Sequence, residues 1–216
     1  MIYIKSDKEI ELMRKPCQIV RDVLRLCEDK IKAGMTTKEL DKIAYDYITS
    51  CGAKPSFLGY GGFPAATCIS IDEQVVHGFP SDRIIEEDQI VSVDVGAYFN
   101  GFHGDAARSL YVGHISPEKK KLIDVTRECF FEGIKGICIG SALGDIGAQV
   151  QEHAEKNGFS VVRDMVGHGV GRNLHEDPSV PNYGRRGVGV RLKRNMTIAI
   201  EPMINMGGYE VDIDGW

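Results

Sequence analysis

Two aspartates between Gln89 and Val112 carry the strongest chemical signal in the sequence. This segment predicts two strands joined at Asn100-Gly101, the dipeptide most typical of a two-residue type I′ hairpin loop. In that register Asp94 and Asp105 are diagonal neighbours on one face of the hairpin. Two carboxylates on a partly buried face repel each other and lose hydration unless a cation lies between them. The pair therefore favours a metal site, and the alternative is that each aspartate caps a turn or forms a surface ion pair.

A histidine and a glutamate are candidates to complete such a site. His168 lies among small residues in Gly167–Gly171, where backbone and ligand can approach closely. Glu201 ends an apolar segment, and a buried glutamate without a partner is costly. Together with the aspartates they form an oxygen-rich ligand set with one nitrogen, which suits one or two divalent ions in a hydrolytic centre. Taken singly, a histidine or glutamate of this kind is more often structural.

The other histidines divide into three groups. His77 and His175 each follow a turn-prone segment, and a hydrogen-bonded loop histidine is the competing interpretation for each. Strand alternation puts His103 on the same face as Asp105, which favours a supporting role beside the ligands. The last two are expected on the surface without a role: His114 and His153.

Composition narrows the class of protein. With 216 residues, 43% hydrophobic content and 26% charged content, the chain resembles an ordinary globular protein. A net charge of −5 does not indicate the positively charged surface that nucleic-acid binding requires. No apolar run approaches the ~20 residues that span a bilayer, and the charged N-terminus lacks a signal-peptide core. The six cysteines form no CxxC pair, so we expect reduced thiols in a cytoplasmic protein without a membrane segment.

Helical periodicity and capping boxes predict helices at residues 6–32, 36–51, 116–134 and 143–156, with Pro16 kinking or dividing the first. Further strands are predicted at Thr67–Ile71, Val75–His77, Ser160–Arg163 and Met196–Ile204. Two halves repeat the same order of helices, strands and a Gly-rich loop at a spacing of about 105 residues, which indicates a duplication. We therefore expect one domain in which helices back a central antiparallel sheet.

Five motifs, in this order, resemble those of the type I methionine aminopeptidases from near the N-terminus to Trp216. They are His77-Gly78 after CISIDEQVV, Asp94 and Asp105 in VSVDVGAYFNGFHGDAARS, His168 in GHGVGR, His175-Glu176-Asp177-Pro178, and Glu201 in IEPM. The resemblance implies the pita-bread fold, an α/β (α+β) arrangement of two αβ halves related by a pseudo-two-fold axis. It agrees with the duplication inferred from the order of elements.

The resemblance also implies roles for individual residues. Four residues would be metal ligands: Asp94, Asp105, His168 and Glu201. Glu201 would also take a proton, and His77 and His175 would contact the substrate near the scissile amide nitrogen and its carbonyl oxygen. Five residues match positions that line the methionine-binding pocket in the family: Tyr60, Phe63, Cys68, His77 and Trp216. His175 would also contact the substrate. Leu174 stands where relatives often carry an aromatic residue.

The implied activity is removal of the N-terminal methionine from nascent polypeptides whose second residue is small. One or two divalent ions of Fe, Mn, Co or Zn would serve it, in a cytoplasmic monomer with the ribosome as a candidate partner. Family members continue past the tryptophan through two more strands that supply a further bridging glutamate, so we expect a single domain, residues 1–216, without these strands. Two alternatives stay open, a proline-cleaving aminopeptidase of the same fold and a non-catalytic binding module.

Overall fold

The computed structural model describes residues 1–213, which divide into two compact units. The N-terminal unit comprises Lys5–Lys119 and Val170–His175. The C-terminal unit comprises Met1–Ile4, Lys120–Gly169 and the residues from Glu176 onward. That residues 1–216 form a single domain stays a prediction.

The N-terminal unit packs two helices on a four-stranded antiparallel sheet. Its helices are α1 (Asp7–Lys30) and α2 (Thr37–Ser50). Its strands are β1 (Lys54–Pro55), β2 (Thr67–Ile71), β3 (Ile90–Phe99) and β4 (Phe102–Tyr111). Strand β3 is central and pairs with the other three, all antiparallel. The longest strand pair is therefore the one that carries both aspartates.

Both predicted capping boxes are present and start the two helices. The Ser6 hydroxyl accepts from the Glu9 amide, Glu9 accepts from the Ser6 amide in return, and Thr36 and Glu39 repeat the arrangement. Pro16 was predicted to kink or divide the first helix; α1 runs through it without a break, so it does not divide the helix, and a kink there stays a prediction. A proline removes one helical hydrogen bond, but Pro16 is buried in the contact with β4, where packing outweighs that loss.

The hairpin of β3 and β4 has the predicted register. Asn100 and Gly101 have φ values of 50° and 87°, the positive angles that a type I′ turn requires. On one face of β3 the side chains of Val91, Val93 and Val95 have no exposed area and pack into the core with residues of α1 and α2. The alternate face therefore holds the polar side chains, as the alternation predicted.

The C-terminal unit contains most of α3 (Pro117–Ile134) and all of α4 (Leu143–Lys156). Its strands are short and form two pairs, β5 (Ser160–Val161) with β8 (Ile204–Asn205), and β6 (Gly167–Gly169) with β7 (Glu176–Val180). A core of apolar side chains joins both helices to these strands: Val125, Cys129, Leu143, Ile146, Val150, Ala154, Val161, Val180 and Ile204.

Two predicted strands are wrong. Residues 75–77 form no strand, because His77 adopts a φ of 60°, which is incompatible with extended backbone. Residues 196–204 pair only locally, through a bridge from Ile198 to Gly169 and through the start of β8. Pro202 lacks the N–H that a continuous ladder would need. The strand predicted at Ser160–Arg163 is present but ends at Val161.

Among the helices of residues 1–213, none combines the length and the hydropathy that crossing a bilayer requires.

At Gly104 the β3–β4 hairpin contacts the backbone of α1. A substitution there tests the packing between the helix and the hairpin. A Cβ atom at Gly104 would lie 2.5 Å from the carbonyl carbon of Pro16 and 2.6 Å from the Cys17 nitrogen, both backbone atoms. We expect Gly104→Ala to lower the free energy of unfolding by about 1–3 kcal/mol, as overpacking does. Gly207→Ala is the matched control, since nothing lies within 4 Å of its added Cβ. Urea denaturation of both variants measures the effect, and equal stabilities would contradict the described contact.

Candidate functional site

Asp94 and Asp105 occupy the predicted positions on the β3–β4 hairpin. Asp94 pairs across the strands with Ala107, and Asp105 with Gly96, so the aspartates are diagonal neighbours. Both are half-buried. Their side chains leave the sheet on the face opposite the valines of the core. The hairpin therefore presents two carboxylates on one partly desolvated surface.

Cys68 lies beside these carboxylates on β2. It is the cross-strand partner of Asp94, and 6% of it is exposed. Burial raises the pKa of the Cys68 thiol, and the negative charges of Asp94, Asp105 and Asp41 raise it further. A thiol in this setting stays protonated and behaves as a small apolar side chain. It is suited to line a pocket rather than to attack a substrate.

Asp41 of α2 fixes the start of the strand that carries Cys68. One oxygen, Oδ1, accepts from the amides of Ala66 and Thr67 at 3.0 and 2.8 Å and from the Thr67 hydroxyl at 2.7 Å. Burial raises the pKa of Asp41, and these hydrogen bonds oppose that rise. Because its donors satisfy it, Asp41 positions β2 and is no candidate ligand.

His168 and Glu201 form the second polar pair, within the C-terminal unit. His168 Nε2 lies 3.2 Å from Glu201 Oε1, and His168 Nδ1 lies 2.8 Å from the Gly169 carbonyl oxygen. Burial raises the pKa of Glu201 to about 7. Although 36% of the Glu201 side chain is exposed, its Oε1 is buried and accepts no hydrogen bond. A buried carboxylate oxygen in this state calls for a cation or a proton.

The backbone around this pair is held by Asn182, a residue that the sequence did not single out. Its side-chain amide donates to the Glu201 carbonyl oxygen at 2.7 Å, and the Asn182 residue has no exposed area. The Ala199 amide donates to the His168 carbonyl oxygen at 2.7 Å, which ties together the two segments that carry His168 and Glu201. No local pattern marks Asn182, because its role depends on a contact 19 residues away.

His77 and Gly78 follow β2 in an irregular backbone. His77 is exposed and lies in the left-handed region, which a non-glycine residue rarely adopts. The Gly78 amide donates to Ser70 Oγ at 3.0 Å, and its carbonyl accepts from the Ile69 amide at 2.9 Å. A Cβ at Gly78 would lie 2.2 Å from the Ile69 carbonyl oxygen. The His-Gly motif therefore reflects a close approach of two backbones that places His77.

The predicted pocket residues Phe63 and Cys68 belong to one small buried cluster in the N-terminal unit: Phe57, Phe63, Ala65, Cys68 and Leu174. Phe79, which the sequence did not single out, stacks on Phe63 with ring centroids 5.2 Å apart. Tyr60 is 48% exposed, and its hydroxyl lies 2.8 Å from His175 Nδ1. Trp216 lies outside the described residues.

His103 lies on the expected strand, β4, and its Nδ1 is 2.8 Å from Ser56 Oγ. Its ring also contacts Tyr98, with centroids 4.8 Å apart. A supporting role for His103 beside Asp105 stays a prediction.

The donor set fits a divalent ion. Carboxylates and an imidazole are ligands that such ions take, and Glu201 presents a buried oxygen without a donor. Within residues 1–213, no group of three or more His, Cys, Asp or Glu side chains has the spacing to hold a metal ion. Of the four predicted ligands, Asp94 and Asp105 belong to the N-terminal unit and His168 and Glu201 to the C-terminal unit. Their assignment to one metal centre stays a prediction.

Comparisons with known proteins agree with the fold and the motifs. The model of metallopeptidase family M24 matches residues 11–216. A methionine aminopeptidase of Clostridium perfringens is 52% identical, over 100% of this chain and 88% of its own length. The crystal structure of methionine aminopeptidase from Rickettsia prowazekii matches with a TM-score of 0.97 at 41% identity, over 100% of this chain and 88% of that one.

This structural match confirms the pita-bread fold that the sequence predicted. A prolidase from Pyrococcus furiosus is less similar, with a TM-score of 0.82 at 26% identity over 95% of this chain and 59% of that one. The chain belongs to metallopeptidase family M24 and, within it, to the methionine aminopeptidases.

Proposed function

We propose that this chain is a metal-dependent aminopeptidase that removes the N-terminal methionine from nascent polypeptides whose second residue is small. The relatives named methionine aminopeptidase support it by their identity and coverage. The observation in the structure that carries the proposal is the buried Glu201 Oε1, which lies beside His168 Nε2 and accepts no hydrogen bond. An acidic group in this state is stable only with a cation or a proton.

Four residues are the proposed metal ligands: Asp94, Asp105, His168 and Glu201. Bound to them, one or two ions of Fe, Mn, Co or Zn would act as Lewis acids toward the substrate carbonyl and lower the pKa of water. Support comes from the diagonal placement of the two aspartates and from the contact between the histidine and the glutamate. The Gly169 carbonyl at His168 Nδ1 would leave Nε2 free of a proton and available as the ligand atom.

The chain's own side chains would then do the proton chemistry. Glu201 would take the proton of the attacking water. His175 would donate a hydrogen bond to the carbonyl oxygen as negative charge develops there. His77 would contact the scissile amide nitrogen, held by the Gly78 contact with β2. The bond between the methionine carbonyl carbon and the next nitrogen breaks, and the released amine keeps the transferred proton.

The methionine side chain would lie against Tyr60, Phe63 and Cys68, with Trp216 and the two histidines completing the proposed substrate contacts. Phe63 and Cys68 are buried in the cluster that also contains Leu174, and aromatic rings give favourable contacts with a thioether sulfur. Because Leu174 is smaller than the aromatic residue that relatives often carry there, we expect a wall of different shape at this point.

The proposal also covers the location, the oligomeric state and the partner of the protein. We propose a cytoplasmic monomer whose substrate is the N-terminal methionine of a nascent chain and whose partner is the ribosome. The six free cysteines accord with a reducing compartment.

Proline-cleaving and non-catalytic functions are less well supported. The prolidase match has about half the sequence identity of the first relative, 26% against 52%. A non-catalytic module has no need to keep four ligand-type residues and two histidines at these positions.

Substrate preference is the first test. We expect the metal-loaded protein to release methionine from Met-Gly-Met and to leave Xaa-Pro dipeptides intact, because the apolar side chains of the buried cluster would contact a methionine side chain. Amino-acid analysis of timed digests measures both reactions. Faster cleavage of the Xaa-Pro peptides would select the prolidase alternative, and cleavage of neither would select the non-catalytic one.

Ligand variants test the metal assignment. We expect Asp94→Asn and His168→Ala to lose bound metal and peptidase activity together, because each removes a donor that the other ligands cannot replace. Metal stoichiometry by mass spectrometry and methionine release measure the two effects. Asp82→Asn and His114→Ala are the controls, because both residues are exposed. These variants should keep their bound metal and their activity. An active variant without metal would overturn the assignment.

His175→Ala should separate catalysis from metal binding. Removing a single donor to a developing oxyanion lowers kcat by roughly 10²–10³-fold, so we expect a loss of that size with unchanged metal content. The His114→Ala control should keep full activity. A parallel loss of metal and kcat in His175→Ala would instead assign a structural role to this residue.

A further inference from the structure

The side chains of Tyr60 and His175 are joined by a hydrogen bond and a ring contact. Neither contact is needed for Tyr60 to line a pocket. The Tyr60 hydroxyl oxygen lies 2.8 Å from His175 Nδ1, and the ring centroids are 5.2 Å apart with the planes tilted by 49°. Both residues belong to the N-terminal unit, although 115 positions separate them in the chain.

Tyr60 is held in place by its own turn. Its amide donates to the Phe57 carbonyl at 2.9 Å, and its carbonyl accepts from the Phe63 amide at 2.9 Å. The Gly59 amide donates to the Phe63 carbonyl at 2.8 Å and closes the turn from the other side. Phe57 and Phe63 are themselves buried, so the backbone that carries the tyrosine is fixed to the apolar cluster.

The segment that carries His175 is fixed equally well. Leu174, 2% exposed, packs in that same cluster. The Gly171 carbonyl accepts from the His103 amide at 2.8 Å, which joins the segment to β4. Arg172 donates to Glu9 of α1 at 2.7 Å and lies over the Phe102 ring. The pKa of Glu9 is lowered to about 2, first by the hydrogen bond from the Ser6 amide and then by Arg172.

The direction of this hydrogen bond is linked to the position of the proton on the His175 ring. A neutral imidazole has one N–H donor and one acceptor nitrogen, and the partner of one nitrogen sets the state of the other. A phenol is a good O–H donor at neutral pH. When the Tyr60 hydroxyl donates to Nδ1, the imidazole proton must lie on Nε2.

We propose that Tyr60 is a positioning residue, which holds His175 in the tautomer with the proton on Nε2 and fixes the plane of its ring. The Nε2–H group is then oriented toward the substrate carbonyl oxygen before the substrate binds. This inference rests on the proposed function, since it gives His175 the donor role described above. It assigns to the Tyr60 hydroxyl a role distinct from that of the Tyr60 ring, which lines the pocket.

Tyr60→Phe separates the two roles because it keeps the ring and removes only the hydroxyl. We expect kcat for Met-Gly-Met to fall about three- to tenfold, the range for loss of one neutral hydrogen bond, with KM and metal content nearly unchanged. Tyr45→Phe is the matched control, a tyrosine of α2 that is 40% exposed, and should keep full kcat. An unchanged kcat in Tyr60→Phe, or a rise in KM alone, would overturn the proposal.

A double-mutant cycle tests whether the hydroxyl acts through the imidazole. In a His175→Ala background, Tyr60→Phe should have no further effect on kcat, because the group that it positions is gone. An equal loss in both backgrounds would mean that Tyr60 acts independently of His175 and would overturn the inference.

The tautomer itself can be read without any activity. Nitrogen-15 NMR of the histidine rings, with His175→Ala used for assignment, should show His175 as a single Nε2–H tautomer in the wild-type protein and as a mixture in Tyr60→Phe. An Nδ1–H tautomer in the wild-type protein would overturn the inference. If the wild-type protein releases no methionine while the tautomer shift occurs, the proposed function fails and the Tyr60–His175 coupling stands.

Discussion

The partly buried carboxylates of Asp94, Asp105 and Glu201 impose the main electrostatic constraint on this structure. On the β3–β4 hairpin two carboxylates are diagonal neighbours, and in the C-terminal unit the Oε1 of Glu201 is buried without a donor. Burial and a neighbouring like charge each disfavour the ionised state of a carboxyl group, and a cation beside it offsets both effects. The raised pKa of Glu201 expresses the same cost in terms of proton binding. Divalent ions would remove the cost in both places, which is why metal binding is central to the proposed chemistry.

The rest of the fold is organised to hold these groups still. Alternation along β3 buries three valines in the core and leaves Asp94 on the other face, so the same contacts that stabilise the sheet also orient the carboxylate. Helix α1 meets β4 closely at Gly104, one residue before Asp105. In the C-terminal unit Asn182 holds the backbone of Glu201 from a fully buried position. Positioning is thus done by backbone contacts and buried amides, which resist displacement more than exposed side chains do.

Short sequence patterns correctly predicted the features that depend on neighbouring residues, namely the hairpin turn and the starts of two helices. Asn100-Gly101 predicted the turn and with it the register that makes Asp94 and Asp105 neighbours, and two capping boxes marked the starts of α1 and α2. Tertiary contacts outweigh local preference at two places: α1 continues through Pro16, whose packing offsets a missing hydrogen bond, and the strand predicted at residues 75–77 is absent because Gly78 approaches β2 and His77 leaves the extended region. Asn182 and the Tyr60–His175 hydrogen bond were not predictable, since each joins residues that are distant in the chain.

We propose that divalent cations offset the negative charge of Asp94, Asp105 and Glu201. Anomalous diffraction from crystals of the protein grown with Mn²⁺ or Co²⁺ tests it most directly. We expect anomalous peaks within about 2.0–2.2 Å of carboxylate oxygens of Asp94, Asp105 and Glu201 and of His168 Nε2. Peaks at other residues, or none, from a preparation that still releases methionine would contradict it.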